Sequence, residues 1–462
     1  MGYYKLTFPR DADVEVICKT LRLIGGIEHA ALNHYGQLTS DPNDPLWAQQ
    51  WQGIKQQFRE AWDITRGSST ILVGVMDSGL DIDHPDISPN KHPSLSWDFV
   101  DGDSDPSEEP PSNHGTRVGG LISARPNNGI GLAEYAGGWA TTQGCQIVGL
   151  RVGGYDSETG EDQITQERAA YAILHARDNG IKVVNMSFAF YGLADNDLPT
   201  FQAAVNAANG IVVMVAASGN GVKNDDSVNP SLSLPAPARW NGVIAVGAAR
   251  YGATLPEELR WIGSNYTTVD NALSVVASVG EAGVSPYTLQ TTQTGDTYST
   301  IGRTSGAAPQ VAALAALILS VNNSLTPAQV KSIIESTAEK IGSSYTYTYG
   351  RAPEVGYGRI NAYKALTYTL KSYGGTISAN ITIPSGELWT LSSGITWTFT
   401  GNYKLRVEGT LVANSVTFQG SGYPGSWFGI EFYNAPWNQS LGYCVIKDAT
   451  YALNSITSGL LP

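Results

Sequence analysis

Five short runs made almost wholly of apolar residues, Ile71–Met76, Ile147–Val152, Ile181–Met186, Ile211–Ala216 and Val243–Val246, set the terms for this chain. Each has the length of a strand and none alternates polar with apolar, so each suits a parallel strand buried on both faces. Stretches with helical spacing, Thr165–Asn179 and Leu198–Ala208, lie between several of them, and another, from Ile54 to Thr65, precedes the first. This alternation implies an α/β fold with a doubly wound, mostly parallel sheet, whose functional side chains gather at the carboxyl ends of the strands.

The residues at those ends carry chemistry. Asp77-Ser78-Gly79 follows the first run directly; an acid there is either a turn former or a functional carboxylate. His114-Gly115-Thr116-Arg117-Val118-Gly119-Gly120 sets a histidine ahead of glycines and an apolar helix. Asn185 to Phe190 leaves one strand and Ala217-Ser218-Gly219-Asn220-Gly221 the next. Asn220 reads either as a left-handed turn residue or as an amide donor aimed into a cleft. Gly302-Arg303-Thr304-Ser305-Gly306-Ala307-Ala308-Pro309 runs into the apolar Gln310–Ser320, which reads as a loop, a serine and a buried helix with Pro309 in its first turn. Ser305 is then either a helix cap or a nucleophile at the positive end of the helix dipole. His29, His34, His84, His92 and His175 read as surface or packing histidines.

Taken together, Asp77, His114 and Ser305 supply the parts of acyl transfer. A serine hydroxyl is too weak an acid to attack an amide unaided; His114 serves as base, Asp77 fixes its tautomer, and Asn220 binds the oxyanion. In these stretches the chain resembles the subtilisin-like serine peptidases, the subtilases. Val75–Gly79 is similar to the family's aspartate motif, His114–Gly120 to its histidine motif, Arg303–Ala312 to its serine motif and Ala216–Asn220 to its oxyanion stretch. The resemblance spans residues 41–366 and implies a subtilisin-like fold and endopeptidase activity on polypeptides. It further implies that Ser187, Phe188 and Ala189, with Gly219, line the substrate site, and that Gly153 and Gly154 lie opposite, so that a peptide adds as a strand between them. Arg117, Gly306 and Gln310 stand where the family often has His, Met and His, while Arg303 and Ala189 stand where it often has Gly. The first three and Arg303 flank the chemistry without removing a group. Ala189 puts a methyl group on the pocket wall.

The ends of the chain read differently. Residues 1–38 resemble part of a subtilase propeptide, a small α+β module whose tail would occupy the cleft as an intramolecular inhibitor until cut. By the same resemblance residues 39–366 would be the catalytic domain. From 367 to 462 charges thin out and short β-rich segments recur between Gly and Asn turns, resembling the first coils of a parallel β-helix; this all-β solenoid is open to surface or glycan contact. A net charge of −13 argues against nucleic-acid partners. Three separated cysteines suggest neither a disulfide framework nor a zinc cluster. The acidic loop from Asp98 to Asp105 reads as solvated and leaves a structural Ca²⁺ open, without EF-hand spacing; the chemistry itself needs no cofactor. No signal peptide or transmembrane run is evident, so secretion or a cell-surface location follows from the resemblance alone. The competing readings are a catalytically silent subtilase-fold scaffold binding a surface or glycan, and an esterase using the same triad.

Overall fold

The computed structural model describes residues 41–221, 234–250, 257–268, 272–280, 289–436 and 438–456, and Leu21. The module expected over residues 1–38, with Cys18, His29 and His34, otherwise lies outside the described residues. Pro42–Pro462 forms one compact unit.

The apolar runs are strands. In chain order they and their neighbours are β1 (Leu72–Asp77), β2 (Trp97–Asp98), β3 (Gln146–Arg151), β4 (Gly153–Asp156), β5 (Glu161–Ile164), β6 (Val183–Met186), β7 (Val213–Ala217), β8 (Val243–Arg250), β9 (Leu259–Arg260) and β10 (Leu273–Ser278). Among the described residues, eight of these form one sheet in the order β9–β8–β7–β6–β1–β3–β2, with β10 beside β8. All pairings are parallel except β8 with β9. β4 and β5 form a separate antiparallel hairpin. Strand order reverses around β1, which puts the ligand crevice outside the carboxyl ends of β1 and its neighbours, where Asp77 stands.

Helices α1 (His114–Ser123), α2 (Gln166–Asp178), α3 (Pro199–Ala208), α4 (Arg303–Val321), α5 (Pro327–Ser336) and α6 (Ala362–Tyr373) cover the sheet. Successive strand residues face opposite layers. Val73, Val75, Val183, Val213 and Val215 join the core that holds α1, α4 and α6, whereas Met76, Val184, Met186, Met214 and Ala216 join the core that holds α2 and α3. The segment expected as one helix over Ile54–Thr65 is two short turns, Trp51–Lys55 and Phe58–Ala61, broken where Gln57 takes a left-handed φ of 56°.

Helix α4 is the spine. It is long and apolar enough to cross a membrane, yet 89% of that stretch is buried within the protein, as befits a helix apolar on every side. It begins at Arg303, with Gly302 as its cap, so Pro309 lies inside the helix and not in its first turn. A proline there gives no N–H to the carbonyl of Ser305, four residues back. The Ser187 hydroxyl donates to that carbonyl instead, at 3.1 Å.

Beyond α6, three parallel sheets follow. One contains Gly375–Ile377, Thr396–Phe399, Thr417–Gln419 and Val445–Lys447; the second contains Ile381–Ile383, Lys404–Val407, Gly429–Tyr433 and Leu453–Ile456; the third contains Leu388–Thr390, Thr410–Asn414 and Ser440–Gly442. The chain visits the three in turn, each strand pairing in parallel with its successor. Trp397, Phe399, Phe418 and Trp427 fill the interior, with Phe399 and Trp427 stacked at 4.2 Å. The Trp397 indole donates to the Leu370 carbonyl of α6 at 3.0 Å, so this core is continuous with that under α4.

Candidate active site

Asp77, His114, Ser305 and Asn220 come from β1, α1, α4 and the turn after β7. β1 ends at Asp77, and α1 opens with His114. The approach is close because α1 has glycine at its second position: a Cβ on Gly115 would lie 1.9 Å from the Gly79 carbonyl oxygen and 2.9 Å from Asp77 Cβ. His114 Nδ1 sits 2.7 Å from Asp77 Oδ1. Asp77 is buried, and its Oδ1 also accepts from the Ser78 backbone N–H at 2.8 Å. With Nδ1 engaged by a carboxylate, the proton belongs on Nδ1 and Nε2 is left as the basic nitrogen. The His114 side chain keeps 37% exposure, enough for Nε2 to meet a substrate. Burial pulls its pKa down, but the charge of Asp77, the hydrogen bond to it, and the charges of Glu108 and Asp162 outweigh burial and raise it to about 8.

Helices α1 and α4 pack against each other on one face of the sheet, and the first turn of α4 is tied to the residues that follow β6 and β7. Ser305 is the third residue of α4 and is tied to Ser187 in both directions: its Oγ donates to the Ser187 carbonyl at 3.2 Å, and its own carbonyl accepts from Ser187 Oγ. Ser187 follows β6, and its hydroxyl accepts from Asn185 Nδ2 at 2.9 Å. The segment Ser187, Phe188, Ala189 therefore passes beside Ser305. The Phe188 and Phe190 rings lie 6.0 Å apart and Phe190 packs on Phe201, so both are partly taken up by the core behind α3.

Asn220 follows β7. The positive φ values fall on its neighbours, Gly219 at 93° and Gly221 at 78°, so the left-handed turn is made without Asn220 itself. Its Oδ1 accepts from the Thr304 backbone N–H at 3.1 Å and the Thr304 hydroxyl at 2.7 Å. Two donors on Oδ1 fix which end of the amide is oxygen and turn the Nδ2 donor away from Thr304, the residue before Ser305. Arg303, where the family often has Gly, takes a left-handed φ of 60°, a conformation that costs a side chain roughly 1 kcal/mol. Gln310 lies one turn below Ser305, where it donates to the Gly306 carbonyl at 2.8 Å and accepts from Gln56 at 2.5 Å. On the other side, Gly153 and Gly154 of β4 pair with Ile164 and Gln163 along one edge of the strand.

Among the described residues no group of three or more His, Cys, Asp or Glu side chains is gathered to hold a metal ion. The acidic loop has an internal cation: buried Arg151 reaches Asp98 at 2.6 Å, Asp101 at 2.9 Å and Glu109 at 3.1 Å. His84 and His175 have structural partners, the carbonyls of Thr297 and Leu95. One residue beside His114 was not legible in the sequence. Glu108, in the loop before α1, is buried and accepts from Ser78 Oγ at 2.6 Å, Gly115 N–H at 2.7 Å and Thr116 N–H at 3.1 Å.

Comparison with known proteins gives the family. Residues 68–358 match the subtilase family, Peptidase_S8. The thermophilic serine proteinase of Bacillus sp. (strain AK1) is 34% identical over 358 residues, covering 77% of each chain. The halolysin-like extracellular serine protease Nep of Natrialba magadii is 28% identical over 374 residues, 79% of this chain and 61% of that one. A lanthipeptide protease crystal structure superposes with a TM-score of 0.57 at 23% identity, over 72% of this chain and 99% of that one, a likeness of fold.

Proposed function

The chain belongs to the subtilase family and is a subtilisin-like serine endopeptidase, and from that premise we propose that Ser305, His114, Asp77 and Asn220 carry its chemistry. The observation that carries the assignment is the 2.7 Å contact between Asp77 and the ring nitrogen of His114, on a helix packed against the one that bears Ser305. In the proposed reaction the Ser305 hydroxyl turns from the Ser187 carbonyl to His114 Nε2, gives up its proton there, and Oγ attacks the scissile carbonyl. Such contacts commonly tighten only when substrate is bound. The developing oxyanion is met by Asn220 Nδ2 at the positive end of α4. The imidazolium then donates its proton to the departing amine, leaving an acyl group on Ser305, and water enters by the same route to release the acid.

The substrate lies extended in this reading, pairing with the edge of β4 not taken by β5 and with Ser187, Phe188 and Ala189, next to Gly219. Residues 1–38 act as an intramolecular inhibitor. Secretion is proposed on the strength of relatives such as the extracellular Nep protease. The C-terminal strands form a parallel β-helix that offers the exposed Tyr423, Tyr443 and Tyr451 to a surface or glycan. The chemistry calls on no cofactor, and a structural Ca²⁺ at the acidic loop would share it with Arg151, which already pairs with Asp98 and Asp101.

A fluorophosphonate probe tests the assignment. The chain without residues 1–38 should be labelled on Ser305 and hydrolyse a fluorogenic peptide, and Ser305→Ala should do neither. A folded protein that the probe leaves unlabelled sinks the assignment.

A further inference from the structure

We propose that Glu108 is a positioning residue for His114: an ionised, buried carboxylate that clamps the first turn of α1 to the end of β1 and places a second negative charge beside the imidazole. This rests on His114 being the base.

The geometry makes the clamp. Gly115 and Thr116, the two residues after His114, give their backbone N–H groups to Glu108 Oε1 and Oε2 at 2.7 and 3.1 Å. These are among the first N–H groups of α1, which have no partner within the helix. Asn113, the residue before the helix, makes no side-chain cap, so Glu108 supplies the capping that the local sequence does not. On its other side Oε1 takes the Ser78 hydroxyl at 2.6 Å, and Ser78 directly follows Asp77. One carboxylate thus spans both halves of the Asp77–His114 pair. Gly79 completes the fit, because its φ of 133° and a Cβ position only 2.8 Å from the Glu108 backbone leave no room there for a side chain.

The hydrogen-bond pattern also suits a negative charge. Each partner given above donates to the carboxyl group, the pattern an ionised acid takes. Burial, the largest effect, and the charge of Asp77 raise the Glu108 pKa above its ordinary value, and the Ser78 and Thr116 hydrogen bonds offset only part of that. Ser78 has one hydroxyl proton for two carboxylates. At 2.6 Å to Glu108 against 3.3 Å to Asp77, it goes to Glu108, which leaves Asp77 Oδ1 to the imidazole and the Ser78 backbone N–H. The acids that act on His114 are Asp77, Glu108 and Asp162. The cations on the elements around α1 are Arg117, held by Gln293, Arg151, held by Asp98, Asp101 and Glu109, and Arg303 at the start of α4.

The test compares Glu108→Gln with Glu108→Asp, reading the acid limb of kcat/KM on a fluorogenic peptide and, in a Ser305→Ala background, the His114 imidazole by NMR titration. Probe labelling counts the folded molecules. Glu108→Gln removes the charge and should move both readouts down by roughly half a pH unit or more, lowering kcat with little change in KM. Glu108→Asp keeps the charge on a shorter arm; kcat should fall while the titration stays in place. A Glu108→Gln protein that labels normally and titrates like the parent overturns the proposal. If the glutamine variant does not fold, the aspartate variant decides, because a titration shifted down there overturns it equally. An inactive, unlabelled parent would instead refute the catalytic assignment, and the NMR titration would still report on Glu108.

Discussion

Gly115→Ala is the sharpest perturbation available, because it adds one methyl group and touches no chemical group. Its Cβ would arrive 1.9 Å from the Gly79 carbonyl oxygen, which is backbone and cannot swing aside. Carbon and oxygen approach to roughly 3.3 Å even in favourable contacts, so α1 and the end of β1 must part by about 1.4 Å. The 2.7 Å contact between His114 and Asp77 then opens past the range of a hydrogen bond. Misplacing a reacting group by about 1 Å costs on the order of 10²-fold in rate, and overpacking costs about 1–3 kcal/mol of stability. The expected result is kcat/KM reduced roughly 10²-fold per labelled molecule, mostly in kcat. The acid limb should also fall below the parent's, because the charge of Asp77 has receded. Gly53→Ala is the control: its Cβ would meet nothing nearer than 3.4 Å, and activity should be unchanged. A Gly115→Ala enzyme within about threefold of the parent, per molecule that labels, would refute the claim that close approach of α1 to β1 sets the geometry.

Asn220→Ala should lower kcat by roughly 10²–10³-fold with KM little changed, a range taken over from the loss of such a donor in subtilisin and not worked from these distances; steady-state kinetics check it. Arg151→Met leaves Asp98 buried without its cation and should cost about 3–5 kcal/mol in chemical denaturation, much of it recovered by adding Asp98→Asn. Glu134 is fully buried, with a pKa pushed well above its ordinary 4.5 by burial and then by the charge of Asp86, against a hydrogen bond from Gln50. The unfolded chain releases this proton near pH 4.5 and the folded one much later, so the cost is absent below that pH and grows as pH rises. Glu134→Gln should therefore raise Tm at pH 8, by about 1 kcal/mol or more in stability, and leave it unchanged at pH 4.

What the sequence shows and what it hides divide along a physical line. The strands were legible because burial on both faces leaves a mark in every residue, and their ends marked where Asp77 and Asn220 would stand. The contacts that hold the side chains were not, because they come from far away in sequence. Asp98 and Asp101 read as part of a solvated acidic loop, since nothing local says that Arg151 will be buried beside them. Glu108 carries no local signal, six residues before a histidine whose helix it caps. For Asn220 the sequence leaves a left-handed turn residue and an amide donor both open, and glycine on each side takes the positive φ.

Pro309 shows the same division within one helix. A local rule puts proline in the first turn, where its missing N–H costs nothing. Here the helix starts six residues earlier, and the missing N–H leaves the carbonyl of Ser305 open. That carbonyl is then bound by Ser187, while Ser305 Oγ binds the Ser187 carbonyl in return. The proline therefore turns what would be an ordinary intrahelical hydrogen bond into a tie between the serine and the segment following β6. Any account of why Ser305 sits where it does has to include Pro309 and Ser187. The apolar run that follows supplies a rigid helix, but Val311, Leu314, Leu317 and Ile318 hold only its body.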